Sequence, residues 1–121
     1  MKLKIIMSSI IIIFIVITIS TIFYFNSEYK LNLDRKNNLL NIGCNYYEEY
    51  YYPSVGEYYI KKYSEKSIKI PLSTLNNSKS FKDKINNKLF EKCDFNNTYV
   101  EIIPNSPYES KDYKTKVNLD C

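Results

Sequence analysis

Hydrophobic positions along this 121-residue chain fall into one unbroken block and several short patterned runs. The block is Ile5 to Phe25: ten Ile, three Phe, Val16, Met7 and Tyr24, interrupted only by Ser8, Ser9, Thr18, Ser20 and Thr21, with no charge inside it. As a helix its 21 residues reach about 31 Å, the thickness of a bilayer's hydrocarbon core. β-branched Ile is a mediocre helix former in water, but lipid forces the backbone hydrogen bonds to close within the segment. Its fourteen Ile, Val and Phe residues contribute roughly 4–8 kcal/mol to insertion, more than the five hydroxyls cancel. The pattern predicts a transmembrane signal-anchor helix over 5–25 behind a cytoplasmic tail, 1–4, that carries Lys2 and Lys4. A basic tail ahead of the first hydrophobic segment places 26–121 outside the cytoplasm, although Lys30, Arg35 and Lys36 nearly balance the flanking charge. The competing reading is a signal peptide cut near Ser20, with Thr18 and Ser20 as the small residues before the cut; against it, the apolar run continues to Phe25.

Beyond the block the pattern becomes mixed. Ser27 and Glu28 open a helical stalk over 26–43, carried by Leu31, Leu39 and Ile42 and stopped by Gly43. Residues 44–121 then form one small domain. Eight Tyr lie within 45–63, split by Pro53-Ser54-Val55-Gly56, and aromatic β-formers around a turn predict a hairpin, with a helix as the alternative. Ile68, Ile70 and Leu72 alternate with Lys69 and Pro71, a strand whose proline puts it at an edge or an end. Ser80 and Asp83 form a capping box ahead of Phe81, Ile85 and Leu89, which predicts a helix over 81–92. Tyr99 to Ile103 and residues 112–120 read as two strands, the second alternating cleanly from Tyr113 to Cys121. The expected fold class is an N-terminal transmembrane helix followed by a small α+β domain with an antiparallel sheet.

Composition narrows the chemistry. The chain has no His, which removes the imidazole base, the histidine metal ligand and the Ser-His and Cys-His dyads; no catalytic residue, cofactor or metal site is expected, and the protein reads as no enzyme. Lys and Arg total 17 against 13 Asp and Glu, and setting aside residues 1–25 leaves 15 against 13, a balance too even for a nucleic-acid binder. Ile, Lys, Asn and Tyr make up 60 of the 121 residues, the bias of an AT-rich coding sequence, which weakens any argument from tyrosine number alone. The same bias covers the two glycosylation sequons, Asn76-Asn77-Ser78 and Asn96-Asn97-Thr98, among 14 Asn. Tyrosine nevertheless joins a flat apolar ring to a polar tip, so Tyr50, Tyr51, Tyr52, Tyr58 and Tyr59 are the candidate contact surface for another envelope protein or a glycan; filling a thin core is the competing use.

Cys44, Cys93 and Cys121 lack metal-site spacing. If the strands over 99–103 and 112–120 pair around a loop near 107 and 108, opposite residues sum to about 215, which sets Cys121 beside Cys93. A Cys93–Cys121 disulfide is therefore expected, with Cys44 unpaired or joining two chains into a dimer; pairing of Cys44 with either partner is the rival. A hydrophobic N-terminal helix leading to a small sheet domain with a C-terminal disulfide loop resembles the layout of type IV pilins and pseudopilins, whose processing signature is absent because no acidic residue precedes Glu28. The function expected from these features is a single-pass membrane-anchored, extracytoplasmic binding or structural module of the cell envelope. The alternative is a secreted inhibitor, immunity factor or small toxin released by cleavage near Ser20.

Overall fold

A computed structural model describes residues 2–63 and 66–121. Met1 of the expected tail lies outside the described residues. The chain divides into two compact units, Met1–Leu33 and Asp34–Cys121, and helix α1, Lys2–Tyr46, contributes to both.

In the first unit α1 exposes the whole of the apolar block, and this is the one helix among the described residues long and apolar enough to cross a membrane. Its hydroxyls do not interrupt the run. Ser9, Thr18 and Thr21 each donate to the carbonyl four residues back, at 3.0, 2.8 and 2.8 Å, which satisfies them within the helix itself.

The second unit begins with the end of the stretch expected as a stalk. Residues 26–43 are helical, but Arg35, Leu39, Ile42 and Gly43 are buried, so from Asp34 onward the helix is part of the packed unit. It packs with a three-stranded antiparallel sheet in the order β1 (Ile68–Pro71), β2 (Tyr99–Pro104), β3 (Tyr113–Asn118). The expected edge position of the first strand is correct, with Pro71 at its end. Ile70, Val100 and Val117 share one rung and Ile68, Ile102 and Thr115 the next, so one face of the sheet carries all its aliphatic residues but Ile103. Lys69, Glu101 and Lys116 occupy the other. Gly43 lets α1 approach β2 closely: a Cβ there would lie 2.7 Å from Val100 Cγ1.

Two expected elements are corrected. The tyrosine-rich stretch is helical and forms no hairpin: a π-helical turn, Tyr47–Tyr51, runs on from α1 into α2, Tyr52–Lys62. Pro53 lies inside this continuous run, directly after the π-helical turn, where its missing N–H leaves one helical bond unmade. Gly56, at φ 79°, breaks α2 with a kink where a turn was expected. The helix expected over 81–92 is reduced to a single 3₁₀ turn, Lys82–Lys84, after the short α3, Leu72–Asn76. Phe81, Ile85 and Phe90 are buried nonetheless. The backbone of this segment closes a series of tight turns, such as Leu89 N–H to Asn86 O and Phe90 N–H to Asn87 O, and two tertiary bonds tie it to α1: Arg35 Nε donates to the Leu89 carbonyl at 2.6 Å and Asn86 N–H to Asn38 Oδ1 at 3.3 Å.

The β2–β3 register pairs Tyr99 with Asn118 and Pro104 with Tyr113, so opposite residues sum to 217 and not 215. The disulfide Cys93–Cys121 forms all the same. Residues 94–97 turn, with Thr98 N–H bonded to Asp94 O at 2.9 Å and the Asp94 carboxylate accepting from Asn96 N–H at 2.9 Å. That turn takes up the two residues of slip and brings Asp94 N–H to Asp120 O at 2.7 Å, one residue from each half-cystine.

Candidate functional site

A π-helical turn closes i→i+5 hydrogen bonds and so inserts one residue into the helical repeat, a feature frequent at functional sites. Here it lies within the tyrosine run and sends neighbouring rings in different directions. Tyr47 is fully buried, stacks on Tyr51 at 5.9 Å and meets the edge of Tyr113 at 5.1 Å. Its hydroxyl has no partner among the described residues, and burial pushes its pKa up to about 12 from the ordinary 10.0. Tyr52 is half-buried and donates to the Tyr108 carbonyl at 2.7 Å, which holds the 105–112 connection where Tyr108 itself takes a positive φ of 64°.

Tyr113 donates to Glu48 Oε1 at 2.7 Å and lies in hydrogen-bond contact with Cys44. Burial first, and the neighbouring thiol and carboxylate second, hold the Tyr113 phenol well above its ordinary range. Cys44 is the free cysteine, half-buried, and burial raises its thiol pKa too, so it has no thiolate activation of the kind a nucleophile needs. No three His, Cys, Asp or Glu side chains gather as a metal centre among the described residues.

The five tyrosines expected as a contact surface divide. Tyr50, Tyr58 and Tyr59 are exposed, while Tyr51 and Tyr52 are half-buried and serve the core as well. Tyr51 and Tyr59 line a groove of about 340 Å³ together with Tyr63, Lys66, Ile68 and Pro104. Tyr58, 79% exposed, stands beside Lys62, whose ammonium is 6.0 Å from its ring. Tyr50 belongs elsewhere. With Tyr46 it forms one wall of a second groove, about 490 Å³, whose other lining comes from Thr74, Asn77, Ser78, Lys79 and Ser80.

Sequence reading alone misses Tyr46, Tyr63 and the 74–80 rim. The first two carry a signal once a helix is assumed: Tyr46–Tyr50 and Tyr59–Tyr63 are i,i+4 pairs with ring centroids 5.1 and 4.6 Å apart. The rim carries none, because its residues are common loop formers and only the fold places them opposite the rings. No protein-family model, curated protein or solved structure matches the chain.

Proposed function

We propose that the protein is a single-pass membrane-anchored module of the cell envelope whose domain lies outside the cytoplasm and binds a partner through its exposed tyrosines. The observation that carries the anchor is the first unit of α1: an uncharged apolar surface over 5–25, exposed throughout, with three of its five Ser and Thr hydroxyls, those of Ser9, Thr18 and Thr21, bonded back to the helix. Such a surface is unstable in water and stable in lipid. Lys2 and Lys4 on one flank support the orientation, as does the Cys93–Cys121 disulfide on the other, since disulfides persist in oxidising compartments. The binding role rests on Tyr50, Tyr58 and Tyr59, large rings left at the surface beside formed grooves.

Alkaline carbonate extraction of membranes tests the anchor. The protein is expected in the pellet with Lys2 or Met1 at its N-terminus; release into the supernatant, or a mature N-terminus at Thr21, replaces this reading with that of a secreted factor. Tyr58→Ser with Tyr59→Ser tests the contact surface. The double variant should keep the melting temperature within about 2 °C, because both side chains are exposed, and lose most of the partner recovered by in-cell cross-linking.

A further inference from the structure

We infer that the groove between Tyr46–Tyr50 and residues 74–80 is a saccharide-binding site. The inference rests on reading the domain as a binding module and narrows that reading to a ligand class and a place. The groove has two unlike walls. One is aromatic: the Tyr46 and Tyr50 rings lie 5.1 Å apart at 39°, and Tyr46 is fixed from behind by an edge contact, 5.3 Å, with the buried Phe81. The other is polar, with hydroxyls from Thr74, Ser78 and Ser80, an amide from Asn77 and the Lys79 ammonium. Among the described residues none of these polar side chains is engaged in a hydrogen bond or ion pair, whereas the backbone N–H groups of Asn77 and Ser78 are already bonded, to Ser73 O and Leu75 O. The backbone of the rim is thus fixed while its side-chain donors and acceptors remain available.

A sugar ring matches this pair of walls: its C–H face stacks on an aromatic ring and its hydroxyl edge exchanges hydrogen bonds with hydroxyls and amides. The other ligand classes fit less well. No Leu, Ile, Val or Met lines the groove, as an acyl chain or apolar drug-like molecule would require. No carboxylate lines it to hold a metal ion or an amine, and one exposed lysine is a weak site for phosphate, which is held by several donors or by arginine forks. A volume of about 490 Å³ lies within the range of small-ligand sites and accommodates one or two sugar rings. Lys79 adds a preference for a sugar that bears a carboxylate.

The test uses the full chain in phosphatidylcholine nanodiscs, which carry no sugar headgroup. It is applied to an oligosaccharide array, and its tyrosine fluorescence is then titrated with cellobiose and with a glucuronic-acid-containing disaccharide. Saturable saccharide binding is expected, tighter for the acidic disaccharide. Tyr50→Ala and Asn77→Ala should each weaken it by about tenfold or more. Lys79→Ala should erase the preference for the acid. Lys114→Ala, on β3 and outside the groove, should leave binding unchanged, and near-UV circular dichroism checks that each variant is folded. Absence of binding across the array, capture of peptides but not sugars, or binding indifferent to Tyr50→Ala and Asn77→Ala in folded variants overturns the inference. Any of these leaves the envelope-module reading intact, since that is decided by carbonate extraction and by the Tyr58 and Tyr59 surface.

Discussion

Tyrosine is asked to do two opposed things in this domain, and single residues show where each wins. Tyr47 acts as a core residue, with 0% exposure and three aromatic neighbours, but it brings a hydroxyl that finds no partner among the described residues. An unsatisfied buried hydroxyl costs about 1–3 kcal/mol, whereas the ring makes the same contacts without it. Tyr47→Phe should therefore stabilise the domain by about 1 kcal/mol, a rise of several degrees in melting temperature for a unit of this size. The same substitution should alter the alkaline limit. The unfolded phenol releases its proton near 10.0 while the folded one holds it to about 12, so the unfolded state gains from deprotonation in between. The stability linked to Tyr47 is complete below about pH 10 and declines as pH rises through about 12. Removing the group should move the alkaline unfolding midpoint upward, with Tyr113, Cys44, Tyr46, Tyr51 and Tyr52, all also raised chiefly by burial, contributing what remains. A melting temperature or alkaline midpoint that falls in Tyr47→Phe would mean that the hydroxyl has a partner in solution.

At the scale of elements, legibility followed the strength of the period. The 21-residue apolar block and the three strands carry runs that no other element could satisfy, and each appears where the pattern puts it. The tyrosine stretch misled because Tyr is a good strand former and Pro-Ser-Val-Gly a good turn; what decides is burial of Tyr47 and Ile60 along a helix continuous with α1, a tertiary effect. Residues 81–92 misled in the opposite direction. Their apolar spacing is helical, but Asn86 and Asn87 in the middle are poor helix formers, and Arg35 and Asn38 from α1 offer the backbone an alternative. The candidate site was half legible for the same reason, its rings marked by composition and its polar rim assembled by the fold. Contact between α1 and β2 depends on one residue that the sequence presents only as a helix stop. Gly43 is interior to α1, and Gly43→Ala should gain helix propensity of about 1 kcal/mol but drive its methyl to 2.7 Å from Val100 Cγ1. Overpacking of this kind costs about 1–3 kcal/mol, so a net loss of stability is expected. Pairing it with Val100→Ala, which clears the space, should restore part of that loss beyond additivity; a fully additive double variant would place the cost elsewhere.

Across the whole molecule, a domain with few aliphatic residues must keep its sheet from opening at the β3 edge. β3 is flanked on one side only, and Lys114, Thr115 and Lys116 are exposed, so its own burial is weak. The last three residues of the chain are held through Asp120, whose N–H donates to Thr98 Oγ1 at 3.1 Å and whose carbonyl accepts from Asp94 N–H at 2.7 Å, and through the Cys93–Cys121 bond next to it. The bond spans 28 positions, and closing a loop of that length restricts the unfolded chain by about 3–4 kcal/mol in the chain-entropy model. Domains of this kind have a total stability of about 5–15 kcal/mol, so the link is a large share of it. Reduction of the full chain in nanodiscs should lower the urea midpoint of the domain markedly, while the exposed apolar segment of α1 stays helical in lipid. Cys44 supplies the control, because thiol labelling in denaturant should count one thiol before reduction and three after. Three before reduction would show that the bond is not formed, and an unchanged midpoint after complete reduction would show that hydrogen bonds at Asp120 and Thr98 suffice to hold the edge.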